Sequence, residues 1–445
     1  MLQNNKYLHL VNYNTLLLWD IKRYFATQLL SQFSVVRLGD YIREESAKYK
    51  INDPTQKYGI LGVNNQIGIF DAYQEEGSKI KQKYKKMQVG WIAYNPYRIN
   101  VGSIGIRTST HNYEYISPAY VVFSCKNELL PEFLFLLMKT ELFNKIIREN
   151  TTGSVRQNLN YSVLSNLQIP LPSLTEQENI VDAYNYAISQ ADDCAQEADN
   201  IDEQIENYLQ NKLGFAQVLI TQKQTTIGKF IKLFHLKNIT RWDVYNSKNN
   251  SYSGLYSNQL LRDILISTPK YGAGYKAEKK QRDVRYIRIT DINEDGSLNN
   301  DFASVPKFDK QYLLKQNDFL IARTGNTVGK TFLYDESMGQ AIYAGYLIKF
   351  ELDTNKVNPQ YLLAYTKSSA YKQWIKNNMR ISAQPNINSK QYEESPIVLP
   401  PLDIQNEIVE HIAALRTEQK ELRQKALLLR QQATQQFEQT IFSVI

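Results

Sequence analysis

Residues 175–215 read TEQENIVDAYNYAISQADDCAQEADNIDEQIENYLQNKLGF, the longest stretch of the chain that keeps one unbroken period. Steps alternating between four and three residues connect a mostly apolar or small seam: Ile180, Tyr184, Ala187, Ala191, Cys194, Ala198, Ile201, Ile205, Tyr208, Lys212 and Phe215. This is the a/d pattern of a helix packed along a narrow stripe against a partner helix. At ~1.5 Å per residue the helix is roughly 60 Å long. Thr175 to Glu178, just after Pro172, fit a capping box at its start.

The C-terminal part of the chain repeats this pattern at a shift of 228 residues. The second seam consists of Ile408, Ile412, Leu415, Gln419, Leu422, Ala426, Leu429, Ala433 and Gln436. The motif at the helix start recurs too, as LPSLTEQ over 171–177 and LPPLDIQ over 399–405. The first seam is small in its middle and the second is rich in leucine. Antiparallel pairing therefore sets Ala198 near Leu422 and Ala191 near Leu429. We predict one intramolecular antiparallel coiled coil; the alternative is that residues 175–215 form a surface helix of one large domain.

The globular parts of the chain are also repeated. Residues 131–134 read PEFL and residues 359–362 read PQYL, again 228 apart, while Trp19-Asp20 matches Trp242-Asp243 at a shift of 223. Each unit is thus a globular region followed by one long helix. We predict an α+β fold with two mixed α/β domains in pseudo-twofold repeat, joined by the two helices. The predicted boundaries are 1–172 and 218–400 for the globular domains and 173–217 and 401–445 for the helices.

Within the units, several shorter elements are predicted. The strands cover residues 79–94, 119–123, 284–290, 318–323 and 345–350. Residues 131–150 and 359–378 are each predicted as a helix opened by proline.

Composition permits folded cores and excludes few functions. Hydrophobic residues make up 42% of the chain, and no apolar run approaches the ~20 residues needed to cross a bilayer. The N-terminus lacks a signal pattern, so we expect a cytoplasmic protein without membrane contact. Two cysteines and four histidines supply no ligand set, so no metal site is predicted. The net charge of +7 and 31 tyrosines suit a nucleic-acid surface, although an AT-rich genome gives the same bias.

No catalytic motif is complete. Gly329-Lys330-Thr331 ends like a phosphate-binding loop, but Thr324 stands where its first glycine belongs, so a structural or DNA-facing loop is favoured. Asn95-Pro96-Tyr97 resembles the Asn-Pro-Pro-Tyr signature of adenine methyltransferases with one proline missing. There is no glycine-rich cofactor loop and no Ser/His/Asp or Cys/His set. We therefore predict no catalytic residues and no enzymatic activity in this chain itself.

Clusters of basic residues are the positive signal. In the first unit Lys79, Lys81, Lys83 and Lys85 alternate, so on a strand all four project from one face, opposite Ile80 and Tyr84. In the second unit, residues 270–288 contain seven lysines and arginines against only Glu278 and Asp283. A solvated charged face is the alternative for each segment alone. Their recurrence in two units favours contact with phosphates.

Arginine and asparagine also lie in loops that follow buried strands, from which they can reach guanine and adenine edges. Asn158 and Asn386 have an alternative role as caps of their own turns. The predicted DNA-binding residues are Lys79, Lys81, Lys83, Lys85, Arg98, Arg107, Arg156, Gln157, Lys276, Lys279, Lys280, Arg282, Arg323, Asn326, Lys330 and Gln384.

The chain resembles the specificity subunit of type I restriction-modification systems over nearly its whole length. The likeness rests on YIRITDINEDG at 286–296, DFLIAR at 318–323 and the two motifs that end in Gln177 and Gln405. The first unit departs from the pattern, since it has no clear Arg-x-x-Asp-x-x-x-x-Gly stretch and carries GWIAYN at 90–95. The Trp-Asp pairs are similar to the specificity parts of type IIB or IIG enzymes, which leaves such a system as an alternative.

The resemblance implies a non-catalytic DNA-binding subunit. Each target recognition domain is then expected to read one half of a split double-stranded target. The helices are expected to hold the spacing and dock two modification (methyltransferase) subunits, with restriction (motor-nuclease) subunits joining outside. S-adenosylmethionine, ATP and magnesium are expected on those partners and not on this chain. The residues predicted for the coiled coil and docking are Ile180, Tyr184, Ile201, Ile205, Ile408, Ile412, Leu415, Leu422 and Leu429. A coiled-coil scaffold that does not bind DNA and an enzyme using residues 329–330 or 95–97 remain alternatives.

Overall fold

The computed structural model describes residues 29–150, 158–214, 255–379 and 385–442. The predictions for Trp19, Asp20, Arg156, Gln157, Phe215, Trp242, Asp243 and Gln384 lie outside the described residues. The chain divides into two compact units: unit 1 contains residues 1–194 and 424–445, and unit 2 contains residues 195–423. Each unit includes part of both long helices. The predicted domain boundaries, which follow sequence order, stay a prediction.

Short strands and helices alternate in both units, which confirms the predicted α+β class. The strands and α-helices of residues 29–214 are β1 (Ser34–Arg37), β2 (Ile42–Glu44), β3 (Lys48–Tyr49), β4 (Lys57–Asn64), β5 (Gly68–Glu76), β6 (Tyr84–Lys86), β7 (Ile92–Tyr94), β8 (Ile104–Ile106), β9 (Tyr115–Ile116), β10 (Val121–Cys125), α1 (Pro131–Lys139), α2 (Glu141–Asn150), α3 (Tyr161–Leu164), β11 (Gln168–Leu171) and α4 (Leu174–Leu213). Those of residues 255–442 are β12 (Asn258–Leu260), β13 (Lys270–Tyr271), β14 (Arg285–Ile287), β15 (Phe319–Ala322), β16 (Thr331–Leu333), β17 (Ala341–Tyr343), β18 (Leu347–Phe350), α5 (Pro359–Tyr365), α6 (Ser369–Asn378), α7 (Ser389–Glu393), β19 (Pro396–Val398) and α8 (Leu402–Ile441).

The two units contain the same four-stranded antiparallel sheet. Its strand order is β2-β10-β7-β8 in unit 1 and β13-β18-β15-β16 in unit 2. In addition, an early and a late strand of each unit pair antiparallel, β1 with β11 and β12 with β19. Corresponding strands occupy corresponding places in the repeat. The predicted duplication is therefore confirmed at the level of strand order.

The units differ in a second sheet. Unit 1 adds five strands in the order β3-β6-β9-β4-β5, including the long hairpin of β4 and β5. In the part of unit 2 that the structure describes, the corresponding region is a parallel pair of β14 and β17 with isolated bridges such as Glu278–Ser304. A common sheet thus carries different additions in the two units.

The helices predicted over 131–150 and 359–378 are each divided in two. Both begin at the predicted proline, but Thr140 and Ser368 adopt extended backbone conformations and interrupt them. Their hydroxyl oxygens accept hydrogen bonds from the following helix, Thr140 from Phe143 N at 3.2 Å and Ser368 from Tyr371 N at 3.3 Å. The prediction of single helices is wrong because each of these residues caps a second helix.

Most predicted strands are present with shifted limits. β10, β14, β15 and β18 overlap the predicted segments 119–123, 284–290, 318–323 and 345–350. The continuous strand predicted over 79–94 is wrong. Gly77–Lys79 form one turn of 3-10 helix, and β6 and β7 contribute three residues each to two different sheets. The alternation of residue types along the sequence does not specify which residues pair with a neighbouring strand.

The long helices belong to the core of each unit. In unit 1, Phe437 of α8 packs against Phe133 of α1 and Tyr184 of α4, with ring centroids 6.1 and 5.9 Å apart. In unit 2, Ile201 of α4 and Ile408 of α8 are buried in one cluster with the sheet and the short helices, including Phe319, Phe350, Tyr361 and Trp374. Packing of their apolar faces into the globular cores therefore stabilises both long helices.

Helices α4 and α8 are 40 residues long and antiparallel. In unit 1, Arg430 Nη2 lies 2.5 Å from Asp192 Oδ1. In unit 2, Gln419 Nε2 donates to Ala198 O at 2.8 Å. The contact partner in α8 thus moves from residue 430 to residue 419 as the residue in α4 moves from 192 to 198. This order confirms the predicted antiparallel coiled coil. Among the described residues, no helix combines the length and the apolar character that a membrane crossing requires.

The buried stripe of α4 departs from the predicted seam near the end of the helix. Leu209 and Leu213 are buried there, in place of the predicted Tyr208 and Lys212. An α-helix has ~3.6 residues per turn, so a strict 3.5-residue seam drifts around its surface by ~20° per heptad. Lys212 consequently lies at the edge, where its Nζ is 2.6 Å from Glu407 Oε1.

The start of α4 is capped two residues earlier than predicted. Ser173 Oγ lies 3.4 Å from Glu176 N, and Ser173 N donates to Glu176 Oε2 at 2.8 Å. The capping box is therefore formed by Ser173 and Glu176, and the prediction that began it at Thr175 is wrong. Pro172 directly precedes Ser173, so the helix begins close to the proline, as the sequence predicts.

Candidate nucleic-acid interface

The glutamines that end the two repeated motifs make identical bonds. Gln177 is fully buried; its Nε2 donates to Glu128 O at 3.0 Å and Pro172 O at 2.9 Å, and its Oε1 accepts from Leu130 N at 2.8 Å. Gln405 repeats the three bonds with Lys356 O at 3.0 Å, Pro400 O at 2.8 Å and Asn358 N at 2.7 Å. Each glutamine thus joins the start of a long helix to the loop before α1 or α5. The motifs that carry the repeat are structural.

The strand DFLIAR of unit 2 is held by a buried charge network. Lys349 Nζ lies 3.2 Å from Asp318 Oδ2 and 2.8 Å from Glu351 Oε1. Burial raises the pKa of Asp318, whereas the hydrogen bond from Lys349 lowers the pKa of Glu351 to about 2. Because one ammonium group serves both carboxylates, the network fixes β15 against β18, and with it the loop that follows β15.

The two loops predicted to reach DNA in unit 2 lie together. Arg323, directly after β15, donates its backbone N–H to Tyr346 O at 3.0 Å, and its carbonyl accepts from Ile387 N at 3.0 Å. Thr324 and Asn386 form an isolated antiparallel bridge. Residues 323–326 and 385–387 therefore form one surface. Asn326 is exposed on it.

The Arg323 side chain is stacked on an aromatic ring. Its guanidinium lies 4.9 Å from the ring centroid of Tyr271, which belongs to β13. The buried Nε has no hydrogen-bond partner among the described residues. Tyr346, whose carbonyl holds the Arg323 backbone, is 56% exposed. Neither tyrosine was singled out in the sequence, because only strand pairing brings them to Arg323.

Lys330 is engaged within the protein. Its Nζ lies 2.8 Å from Glu294 Oε1 and 3.3 Å from Ile292 O. Gly329 adopts a left-handed conformation with φ 86°, and Thr331 is fully buried in β16. The loop at 329–331 is thus structural, which was one of the two favoured interpretations.

The motif at 286–296 is structural as well. Arg288 Nη2 lies 2.6 Å from Asp291 Oδ1 and 3.0 Å from Asp301 Oδ2, and Asp291 is fully buried. Gly296 has φ 87°, and a Cβ there would come within 3.0 Å of Lys367 Nζ. Burial lowers the pKa of Lys367 to about 8. These contacts hold the turn in place, and the charges of Arg288 and Asp291 are paired within the protein.

The basic segment of unit 2 separates into two groups. Lys276, Lys279 and Lys280, which we name the basic loop, are exposed. Arg282 lies 3.0 Å from Glu278, and Arg285 donates to Asn299 O at 2.8 Å. The lysines of the basic loop therefore remain available for phosphates, while Arg282 is paired with a side chain and Arg285 holds the backbone at Asn299.

The four lysines of unit 1 do not share a face. Lys85 is buried and donates to Tyr120 O at 2.9 Å, and this burial lowers the pKa of Lys85. Lys79 lies 3.0 Å from Glu76, whereas Lys81 and Lys83 are exposed outside any strand. The prediction that one strand presents all four is wrong, because β6 begins only at Tyr84. Ile80 and Tyr84 are buried.

The arginines of unit 1 differ from each other. Arg107 is half-buried and donates to Tyr113 O at 2.9 Å and Met87 O at 3.0 Å, so it supports the fold. Arg98 is exposed in the loop after β7. In that loop Pro96 O accepts a hydrogen bond from Leu159 N at 3.0 Å, just as Arg323 O accepts one from Ile387 N in unit 2. The position equivalent to Arg323 is therefore Pro96.

The residues predicted for the coiled coil and docking pack inside the protein. Buried in the cores are Ile201, Ile205, Ile408 and Ile412, and partly buried are Ile180, Tyr184, Leu415, Leu422 and Leu429. Their apolar surface is consequently used by the helix pair itself. Large apolar side chains that the helices expose include Tyr186, Leu427 and Leu428.

Comparison with known proteins agrees with this two-unit plan. The sequence model of one family, the type I restriction modification DNA specificity domain, matches residues 32–207 and again 261–428. The EcoBI specificity subunit of Escherichia coli is 23% identical over 279 residues, which cover 60% of this chain and 56% of the relative. The StySPI specificity subunit of Salmonella potsdam is 21% identical over 292 residues, covering 64% and 58%. Both are type I restriction enzyme subunits. The chain thus spans somewhat more than half the length of these relatives.

A solved structure of a type I R-M system contains a chain of the same fold. It aligns with a TM-score of 0.57 at 14% identity and covers 93% of this chain and 97% of that one. The family match extends over most of the chain and includes residues of both units. The chain therefore belongs to the family of type I restriction modification DNA specificity domains.

Proposed function

We propose that this chain is the DNA-reading subunit of a type I restriction-modification complex, in which each unit reads one half of a split double-stranded target. One observation carries the proposal. The units share a sheet and the glutamine bonds, but at the end of the equivalent buried strand one has Arg323 and the other has Pro96. A common scaffold with different side chains at the same place suits two domains that approach DNA alike and recognise different bases.

The chain is proposed to be non-catalytic. Its partners are two modification subunits and, outside them, restriction subunits, with S-adenosylmethionine, ATP and magnesium bound by those partners. The relatives named above are subunits of type I restriction enzymes, which supports this assignment. The antiparallel helices are proposed to set the spacer between the half-sites and to offer their outer faces to the modification subunits.

The test is selection of bound duplexes from a random library by the purified full-length chain. We expect two enriched half-sites separated by a spacer of constant length. A chain in which the basic loop is replaced by glutamine is the matched control: it should bind more weakly and still enrich the same sequence. Enrichment of no sequence by the unaltered chain would contradict the proposal and favour a scaffold.

A further inference from the structure

Arg323 is held differently from the other arginines that the structure describes in unit 2. Each of the following lies within 4 Å of a carboxylate: Arg262, Arg282, Arg288, Arg416 and Arg423. Arg285 instead donates to a backbone carbonyl, that of Asn299. Within the described part of the chain the Arg323 guanidinium has neither kind of partner and rests on the Tyr271 ring. Stacking occupies the face of a guanidinium and leaves the donors in its plane unused.

The ring beneath Arg323 is itself fixed. The Tyr271 hydroxyl lies 3.1 Å from Ser389 Oγ and accepts from Ser389 N at 3.1 Å, at the start of α7. The backbone of Tyr271 pairs with Ile348 of β18. The ring is thus restrained at both ends, although 39% of the residue surface remains exposed.

The backbone of Arg323 is restrained as well, by the bonds to Tyr346 O and from Ile387 N. A free arginine side chain loses rotamer freedom when it binds, and that loss weakens binding. A side chain that already rests on a ring, and whose backbone is fixed, loses less of both kinds of freedom. The arrangement therefore favours a ligand that offers two acceptors to the forked edge of the guanidinium.

We propose that Tyr271 is a positioning residue that presets Arg323 to read one guanine in the half-site of unit 2. Guanine presents O6 and N7 side by side in the major groove, which matches the guanidinium fork. The inference deepens the proposed function and rests on it. A phosphate also offers two acceptors, but it carries no sequence information. Loss of a guanine contact should reduce discrimination between bases at one position, whereas loss of a phosphate contact should weaken binding to all sequences alike.

The experiment repeats the library selection with variants of the full-length chain. Tyr271→Leu should keep both half-sites but reduce discrimination at one guanine position by about tenfold, and Arg323→Ala should affect the same position at least as strongly. Tyr271→Phe keeps the ring, so its discrimination at that guanine position should stay within about threefold of that of the unaltered chain. Tyr271→Gln, a second variant without a ring, should behave as Tyr271→Leu does.

Phe302→Leu is the matched control. Phe302 also lies under an arginine, with Arg285 5.5 Å from its ring centroid, but that arginine is bonded to Asn299 O. Its loss should leave every base preference unchanged. The other base preferences in the half-site of unit 2 report in each selection that this unit is folded, because every substituted residue lies in unit 2.

Three results would overturn the inference. Full discrimination in both Tyr271→Leu and Tyr271→Gln would remove Tyr271 from recognition. Uniform weakening on all sequences by Arg323→Ala would make Arg323 a phosphate contact. In both cases the unaltered chain still enriches a split target, so the proposed function stands. If the unaltered chain enriches nothing, the proposed function and the inference are both refuted.

Discussion

Replacing Gln405 with leucine should loosen α5 without loosening α1. Gln405 is fully buried and makes three hydrogen bonds of 2.7 to 3.0 Å with Asn358 N, Lys356 O and Pro400 O. Leucine has a similar volume and supplies none of them. The orphaned N–H belongs to Asn358, whose side chain caps α5 through Gln360 N at 2.9 Å.

The magnitude follows from these contacts. The Asn358 N–H is only partly buried, so leaving it unpaired costs ~1 kcal/mol, the low end of the usual range, and each of the two lost bonds to a carbonyl costs ~1 kcal/mol, which gives a total of roughly 3 kcal/mol. Since ~1.4 kcal/mol is a factor of ten, amide exchange in α5 should accelerate by about a hundredfold, provided that it proceeds through opening of this region.

Hydrogen exchange followed by mass spectrometry measures both helices in one sample. Peptides from 359–365 should exchange faster in Gln405→Leu, while peptides from 131–139 should not change. Gln177→Leu is the matched variant and should give the opposite result, because Gln177 bonds to the loop before α1. Gln431→Leu, at an exposed position of α8, should change neither. Equal acceleration in both helices, or none, would refute the assignment of these glutamines to separate local bonds.

Three further outcomes are expected. DNA affinity, measured by fluorescence anisotropy, should fall on the order of a hundredfold or more between ~50 and ~200 mM salt. Glutamine at the three lysines of the basic loop should make this salt dependence less steep, whereas Lys85→Gln should not change it. Equal salt dependence in the basic-loop variant and the unaltered chain would exclude the basic loop from the interface. Inserting four residues near Ala198 and four near Leu422 lengthens the helix pair by ~6 Å, so methylome sequencing should find the same half-sites with a spacer longer by one or two base pairs; an unchanged spacer with activity retained contradicts a spacing role. The pKa of Lys367 is about 8 in the fold against an ordinary 10.5, so the unfolded chain binds more protons between these values and stability should rise with pH there. Lys367→Met should remove that rise, on the order of 1–2 kcal/mol from pH 8 to 10 in urea unfolding; parallel pH profiles of the two proteins would disprove it.

The long helices and the starts of the helices were predictable because each depends on residues that are close together in the chain. The heptad seams, the prolines that open α1 and α5 and the motifs ending in Gln177 and Gln405 repeat along the sequence, and helix geometry converts such spacing directly into a face. The seams failed near Leu213 in α4 and near Phe437 in α8, which is buried where the exposed Gln436 was predicted, because the true period of a helix differs from the one assumed. The hydroxyls of Thr140 and Ser368 were readable caps, but the apolar pattern continued across them.

The lysines of unit 1 show why the basic surface was harder to predict. Alternation placed Lys79 and Lys85 on one face, yet one pairs with Glu76 at the surface and the other is buried against Tyr120. Whether a lysine faces solvent depends on which strand lies beside it. That neighbour comes from a distant part of the chain, and the spacing of the lysines carries no trace of it.

The two repeated units, the two antiparallel helices and the place of Arg323 after a buried strand all follow from the amino-acid sequence. The ring on which Arg323 rests follows from the folding of distant strands into one sheet. Tyr271 pairs with Ile348 in the sheet, and Ile348 pairs with Ile321 two residues before the arginine. The strand order β13-β18-β15 therefore brings the ring beneath the guanidinium. Pairing between strands far apart in the chain is set by the packing of the whole unit, and no local pattern encodes it.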